Sequence, residues 1–173
     1  MDQIEVKEAS INEIEVLQRI GKETFYETFA ISNTEEDMEK YLSESFSDER
    51  MTAELNNPDS LFFIAWKGET PVGYMKLNVG KAQTELQDDA ALEIERIYVK
   101  SSYHGKNVGL LLYEKALAIA ELQQKSYMWL AVWEENPRAI SFYKKNGFVE
   151  FDKHIFKLGN DEQIDIMMKK MLK

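Results

Sequence analysis

The chain has 173 residues, 44% apolar and 30% charged, a balance that supports a packed core and excludes a disordered chain. It contains no cysteine, which removes disulfides, thiolate metal sites and Cys nucleophiles. Its formal net charge of −10 opposes the phosphates of nucleic acid and favours cationic small molecules as partners.

No apolar run reaches the roughly 20 residues that a membrane span needs. The first five residues, Met1 to Glu5, lack the basic and apolar regions of a signal peptide, so a cytoplasmic protein without membrane partners is expected. No repeat, low-complexity tract or linker divides the sequence, and residues 1–173 are expected to form a single domain.

Ile4–Lys7 reads as a short alternating strand. Ser10 with Glu13 has the spacing of a capping box, and apolar positions from Ile14 to Thr28 recur at helical intervals, which predicts a helix over 11–29. Thr34 with Asp37 opens a second helical stretch that runs to about Asn57, broken near Phe46-Ser47-Asp48 and closed by Pro58. Leu61–Trp66 and Val72–Val79 are β-branched and aromatic, with a turn over Lys67–Pro71 between them. Residues 80–90 are polar and turn-like.

Leu92–Lys100 reads as a central strand. Val108, Leu111, Leu112, Ala116, Ile119 and Ala120 trace one face of a helix. Tyr127–Trp133 is a buried strand, Pro137–Asn146 a short helix, and Phe148–Leu158 and Ile164–Leu172 are two last strands. This order predicts an α/β (α+β) domain with a central mixed, largely antiparallel sheet of about seven strands flanked by helices.

The stretch most informative about chemistry follows the central strand. Ser101–Gly109 is a glycine-containing turn between a strand and a helix, an arrangement that exposes several backbone N–H groups at a positive helix end and suits phosphate. Gly105 and Gly109 permit close backbone approach, and Asn107 is suited to left-handed dihedrals. The spacing fits neither a Walker loop nor a Rossmann fingerprint.

A second segment, Trp129–Phe148, combines a strand, Asn136, a helix opening at Pro137, Phe142-Tyr143 and a Gly147-Phe148 exit. The pair of segments resembles the GCN5-related N-acetyltransferase family, whose turn has the form Gln/Arg-x-x-Gly-x-Gly/Ala. Its second motif has the form Asn-x-x-Ala-x-x-Phe-Tyr-x-x-x-Gly-Phe. Asn136, Ala139, Phe142, Tyr143, Gly147 and Phe148 match the second motif throughout. In the turn Gly109 matches, whereas His104 stands in place of Gln or Arg and Asn107 in place of Gly. Within the family the chain is most similar to the bacterial spermidine/spermine type, on Thr24–Phe29, Leu92–Val99 and the Gly147-Phe148 neighbourhood.

The resemblance implies an N-acetyltransferase that moves acetyl from acetyl-CoA directly to a primary amine, with a polyamine as acceptor. It places acetyl-CoA along the strand at Ile97, Tyr98 and Val99, and its pyrophosphate on the backbone of Gly105, Lys106, Asn107, Val108, Gly109 and Leu110, with His104 beside it. Asn136 would contact the pantetheine, with Ala139 and Tyr143 on the same helix, and Lys145 would approach the 3′-phosphate. Tyr143 is the candidate general acid, since a phenol can donate to a departing thiolate.

Glu93 and Glu95 alternate with Ile94 and Arg96, so both carboxylates leave one strand face. The resemblance implies a general base at one of them, with Glu95 preferred and an ion pair to Arg96 as the competing reading. Eight acidic residues over 34–54 would favour a polycation, with Tyr26, Phe29 and Tyr41 along its aliphatic part. His154 reads as structural, and with no cysteine and no paired histidines no metal is expected. Strand edges near the C-terminus are candidates for pairing in a homodimer. The alternatives are acetylation of a protein or peptide, and a non-catalytic acyl-CoA-binding regulatory module.

Overall fold

The structure is a computed structural model that describes residues 3–172. Seven strands form one mixed sheet: β1 (Ile4–Ala9), β2 (Ser60–Lys67), β3 (Thr70–Asn78), β4 (Ala91–Val99), β5 (Tyr127–Trp133), β6 (Val149–Leu158) and β7 (Asp161–Met171). Their spatial order is β1-β2-β3-β4-β5-β7-β6. Every pairing is antiparallel except β4 with β5. The helices are α1 (Ile14–Phe29), α2 (Glu35–Ser45), α3 (Asp48–Leu55), α4 (Val108–Leu122) and α5 (Pro137–Lys145). None of them is long and apolar enough to cross a membrane.

Local chemistry accounts for the helix starts. The Ser10–Glu13 capping box forms, with the Ser10 N–H donating to Glu13 Oε1 at 2.7 Å, but it caps a 3-10 turn over Ile11–Glu13, and the α-helix begins only at Ile14. Thr34 caps α2 through the Asp37 N–H, and Ser47 caps α3 through the Arg50 N–H. Ser47 can cap only if the preceding helix stops, which explains the break expected near Phe46–Asp48. The last strand starts at Asp161 rather than Ile164, because β6 and β7 form a tight hairpin turning on Gly159 at φ +60°.

The core lies on both sheet faces. On one, Leu92, Ile94, Leu130 and Met75 pack under Val108, Leu112 and Ala116 of α4, with Tyr143 and Phe148 alongside. On the other, Phe62, Ile64 and Tyr74 pack under Leu17, Ile20, Phe46 and Met51 from α1 to α3.

A bulge in β4 decides which residues face where. Leu77 pairs with Ile94 and Lys76 with Arg96, leaving Glu95 as the extra residue. Side-chain alternation therefore reverses at Glu95. Ile97 and Val99 rejoin Ile94 on the α4 face, while Arg96, stacked over Phe46, and Tyr98 face α1–α3. An unbroken alternation along the strand would assign these four residues to the opposite faces.

Candidate active site

Pairing between β4 and β5 ends at Ile94 and Leu130. Beyond that point the strands part, and a cavity of about 700 Å³ opens between them, with walls from both sheet faces. On the β3 side of β4, Lys100 N–H donates to Val72 O at 2.9 Å. In an antiparallel ladder a residue's N–H and C=O point the same way and alternate along the strand. The main-chain groups of Ile97 and Val99 consequently face the gap, and those of Tyr98 face β3. All three residues line the cavity.

The turn after β4 reaches the same cavity. Gly105 has φ +79° with nothing near a would-be Cβ, and Asn107 has φ 66°, so the left-handed residue suggested by sequence is Asn107 itself. Asn107 is the N-cap of α4 yet makes no capping bond through its side chain, and the first turn carries no acidic residue. The first regular helical bond is Leu111 N–H to Asn107 O at 3.1 Å. The N–H groups of Val108, Gly109 and Leu110, all at the cavity wall, thus precede the helical ladder at the positive end of a 15-residue helix. This backbone suits a diphosphate.

Two other residues of the turn behave differently from the sequence expectation. His104 lines the cavity, but its Nε2 lies 3.0 Å from Val99 O, which ties the turn back to the end of β4. Lys106 stands over the Tyr103 ring at 5.3 Å, outside the cavity wall.

Helix α5 closes the gap from the far side. Asn136 caps it, its Oδ1 accepting from the Ala139 N–H at 3.3 Å, and Pro137 occupies the first helical position. Asn136, Ala139, Phe142 and Tyr143 line the cavity. Tyr143 is 6% exposed and its ring is held edge-on to Phe142 and Phe148. Burial pushes its phenol well above the ordinary tyrosine range, so it is protonated at neutral pH. Lys145 is exposed at the other end of α5, about 12 Å along the helix axis from Pro137, and does not reach the cavity.

Glu93 and Glu95 do share a face, because the buried Asn78 amide bridges them, with Nδ2 donating to Glu93 Oε1 at 3.0 Å and to Glu95 Oε1 at 2.8 Å. Ser60 Oγ donates to Asn78 Oδ1 at 2.8 Å and so fixes which end of the amide faces the glutamates. Their environments then differ. Glu93 is 2% exposed, and burial raises its carboxyl above the ordinary range against hydrogen bonds from Thr84 and Asn78. For Glu95 burial also acts upward, but Arg96 at 3.3 Å and Lys76 at 2.8 Å overcome it and hold the carboxyl below the ordinary range. Glu54 completes this quartet, 3.1 Å from Lys76 and 3.2 Å from Arg96.

The acidic run over 34–54 does not supply the cavity's charge. Its members are exposed on α2 and α3, apart from the half-buried Asp37, which accepts from the Asn160 N–H, and Glu54, which is engaged in ion pairs, and none lines the cavity. Tyr26 is likewise on the surface, hydrogen-bonded to Glu35, whereas Phe29 and Tyr41 do line the wall. The cavity's carboxylates are Glu85, Glu93, Glu95 and Asp165.

His154, read from sequence as structural, also sits at this wall. Its Nδ1 is 2.6 Å from Glu85 and its Nε2 is 3.4 Å from Asp165. Burial raises the Asp165 carboxyl, with His154 acting against it. Sequence reading passed over Thr84, Glu85 and Asp165 because they lie in a polar loop and on a late strand, where spacing carries no signal of what they face.

The acetyltransferase (GNAT) profile matches residues 25–148, which span the α1 wall, the turn and α5. The chain belongs to the GNAT family. It is thereby an acetyl-CoA-dependent N-acetyltransferase in type. It is 36% identical to an uncharacterized N-acetyltransferase of Lactobacillus delbrueckii subsp. lactis, over 99% of both chains. It is 30% identical to the spermidine N(1)-acetyltransferase of Thermoplasma acidophilum, over 84% of this chain and 88% of that one. Among solved structures, the PaiA N-acetyltransferase of Thermoplasma acidophilum in complex with coenzyme A superposes with a TM-score of 0.81. That match has 28% identity and covers 98% of this chain and 99% of the other. A probable acetyltransferase from Staphylococcus epidermidis, at 16% identity and TM-score 0.76, shares the fold.

Proposed function

We propose that the chain acts in the cytoplasm and acetylates a primary amine of a polyamine of the spermidine type, using its whole length as one catalytic unit. The observation that carries this reading is the cavity that crosses the sheet where β4 and β5 part. At one end lies the uncapped start of α4; at the other are four carboxylates and the rings of Phe25, Phe29 and Tyr41. A flexible aliphatic chain bearing ammonium groups fits that second half, its methylenes against the rings and its charges near the carboxylates. The similarity to the spermidine enzyme of Thermoplasma acidophilum supports the same acceptor class.

Acetyl-CoA supplies an activated acetyl thioester. The N–H groups of residues 108–110 would hold its diphosphate, and the main-chain groups of Ile97 with the N–H of Val99, whose carbonyl is taken by His104, would align its pantetheine beside Asn136. The acceptor nitrogen must lose a proton as it forms the new C–N bond, and Glu93 is the better base of the two glutamates. Its carboxyl is raised toward neutrality, whereas the ion pairs of Glu95 make that carboxylate a weak proton acceptor. The C–S bond breaks with its electrons on sulfur, and Tyr143, kept protonated by burial, donates there.

The test is thiol release from acetyl-CoA across a panel of amines, with peptides bearing free N-termini and lysines beside it. Spermidine-like acceptors are expected to give the highest kcat/KM. Peptides outperforming every amine would overturn the acceptor, and CoA binding without release from either panel would overturn transfer. Tyr143→Phe is expected to lower kcat about 10²-fold while acetyl-CoA affinity stays within about twofold. Turnover at the wild-type rate would remove the acid role.

A further inference from the structure

The loop between β3 and β4 enters the cavity through a fixed geometry that the reaction outlined above does not use. Gln83 is buried, 2% exposed, and makes three bonds that pin the loop. Its Nε2 donates to Gly80 O at 3.2 Å and to Asp88 O at 2.9 Å, and its Oε1 accepts from the indole N–H of fully buried Trp129 at 2.7 Å. The next residue, Thr84, then meets both oxygens of Glu93. Its N–H donates to Oε1 at 2.8 Å and its hydroxyl donates to Oε2 at 2.6 Å.

We propose that Thr84 is a positioning residue for the amine-deprotonating base, clamping Glu93 in one rotamer through a donor on each carboxylate oxygen, with Gln83 and Trp129 as the anchor of the clamp. The inference rests on the assignment of Glu93 as base. Two donors on different oxygens fix both the position and the plane of a carboxylate, which a single donor cannot do. Buried without them, the carboxyl would keep its proton to higher pH and swing freely. Asn78 supplies the remaining donor from β3. The charged and titratable groups sharing the cavity wall are Glu95 and Arg96 on β4, Glu85 beside Thr84, Arg50 on α3, His104 in the turn before α4, Arg138 on α5, and His154 and Asp165 on β6 and β7. Glu95 is the like charge that acts on Glu93, in the same upward direction as burial. The hydroxyl of Thr84 is thus the donor whose removal leaves the fold's other charges untouched.

The experiment compares kcat/KM against pH for the wild type, Thr84→Val, Thr84→Ala and Thr84→Ser, taking the ratio to wild type at each pH so that protonation of the amine itself cancels. Thr84→Val and Thr84→Ala are expected to lose about tenfold at pH 7 and to recover most of that by about pH 9. Thr84→Ser, which restores the hydroxyl, is expected to stay within about twofold throughout, and acetyl-CoA affinity is expected to hold in all three. If one of the two deletion variants does not fold, the other gives the reading. A loss that is equal at every pH, or no loss, overturns the clamp. Glu93→Gln separates the two levels: an inactive Glu93→Gln with unmoved Thr84 profiles removes only the role of Thr84, whereas an active Glu93→Gln removes the base assignment and the clamp together.

Discussion

Two glutamates two residues apart on one strand face end in opposite electrostatic states because of what surrounds each. Glu93 is enclosed by neutral donors, so burial dominates and its carboxyl rises; Glu95 meets two cations and falls. For catalysis this predicts an acid limb of kcat/KM above the ordinary carboxylate range, activity being lost as pH falls through the Glu93 value. Glu93→Gln is expected to lower kcat by about 10²-fold at neutral pH and to abolish that limb; a limb retained in the variant would assign it elsewhere. For stability the two glutamates act in opposite senses. The contribution of Glu95 is present above its unfolded value and disappears as pH falls through its lowered folded value. Glu93 favours folding while protonated, and that contribution disappears as pH rises through its raised folded value.

At the scale of elements, the quartet of Glu54, Lys76, Glu95 and Arg96 fastens α3 to β3 and β4 at the bulge. Lys76 is 7% exposed at its side chain and contacts both carboxylates, so its removal leaves two nearly buried acids to share Arg96. Lys76→Met is expected to destabilise by about 3 kcal/mol, seen as a lower urea midpoint, and adding Glu54→Leu, which restores charge balance, should return part of it. A neutral effect of Lys76→Met would mean that the quartet contributes only specificity. This element also marks the boundary of what sequence conveys. The strands, the helix starts at Ser10 and Thr34, the break near Phe46-Ser47-Asp48 and the left-handed Asn107 were legible because each depends on neighbours within a few positions. The bulge was not: it is set by how Lys76 and Leu77 pair across the sheet, and it reverses every face assignment after Glu95. Thr84, Glu85 and Asp165 stayed hidden for the same reason, since only the fold brings a polar loop and β7 to the mouth opened by the parting of β4 and β5.

For the whole molecule, the net charge of −10 and the four carboxylates of the cavity would act at two ranges on the polycation proposed as acceptor. The overall field raises the encounter rate and is screened once the Debye length shrinks below the approach distance, whereas contacts inside the cavity are screened much less. The exposed acidic faces of α2 and α3, which do not reach the cavity, belong to the first range. Raising ionic strength from about 0.05 M to about 0.3 M is therefore expected to lower kcat/KM for a triamine about three- to tenfold, mainly through KM, and to change a monoamine far less. Acetyl-CoA is an anion that meets an opposing field, so its KM is expected to stay level or fall over the same range. Charge-reversing α2 through Glu35→Lys, Glu36→Lys and Glu39→Lys should flatten the triamine's salt response without touching the cavity. An unchanged response in that variant would confine electrostatic selection to Glu85, Glu93, Glu95 and Asp165, and the acidity of the helices would then serve solubility alone.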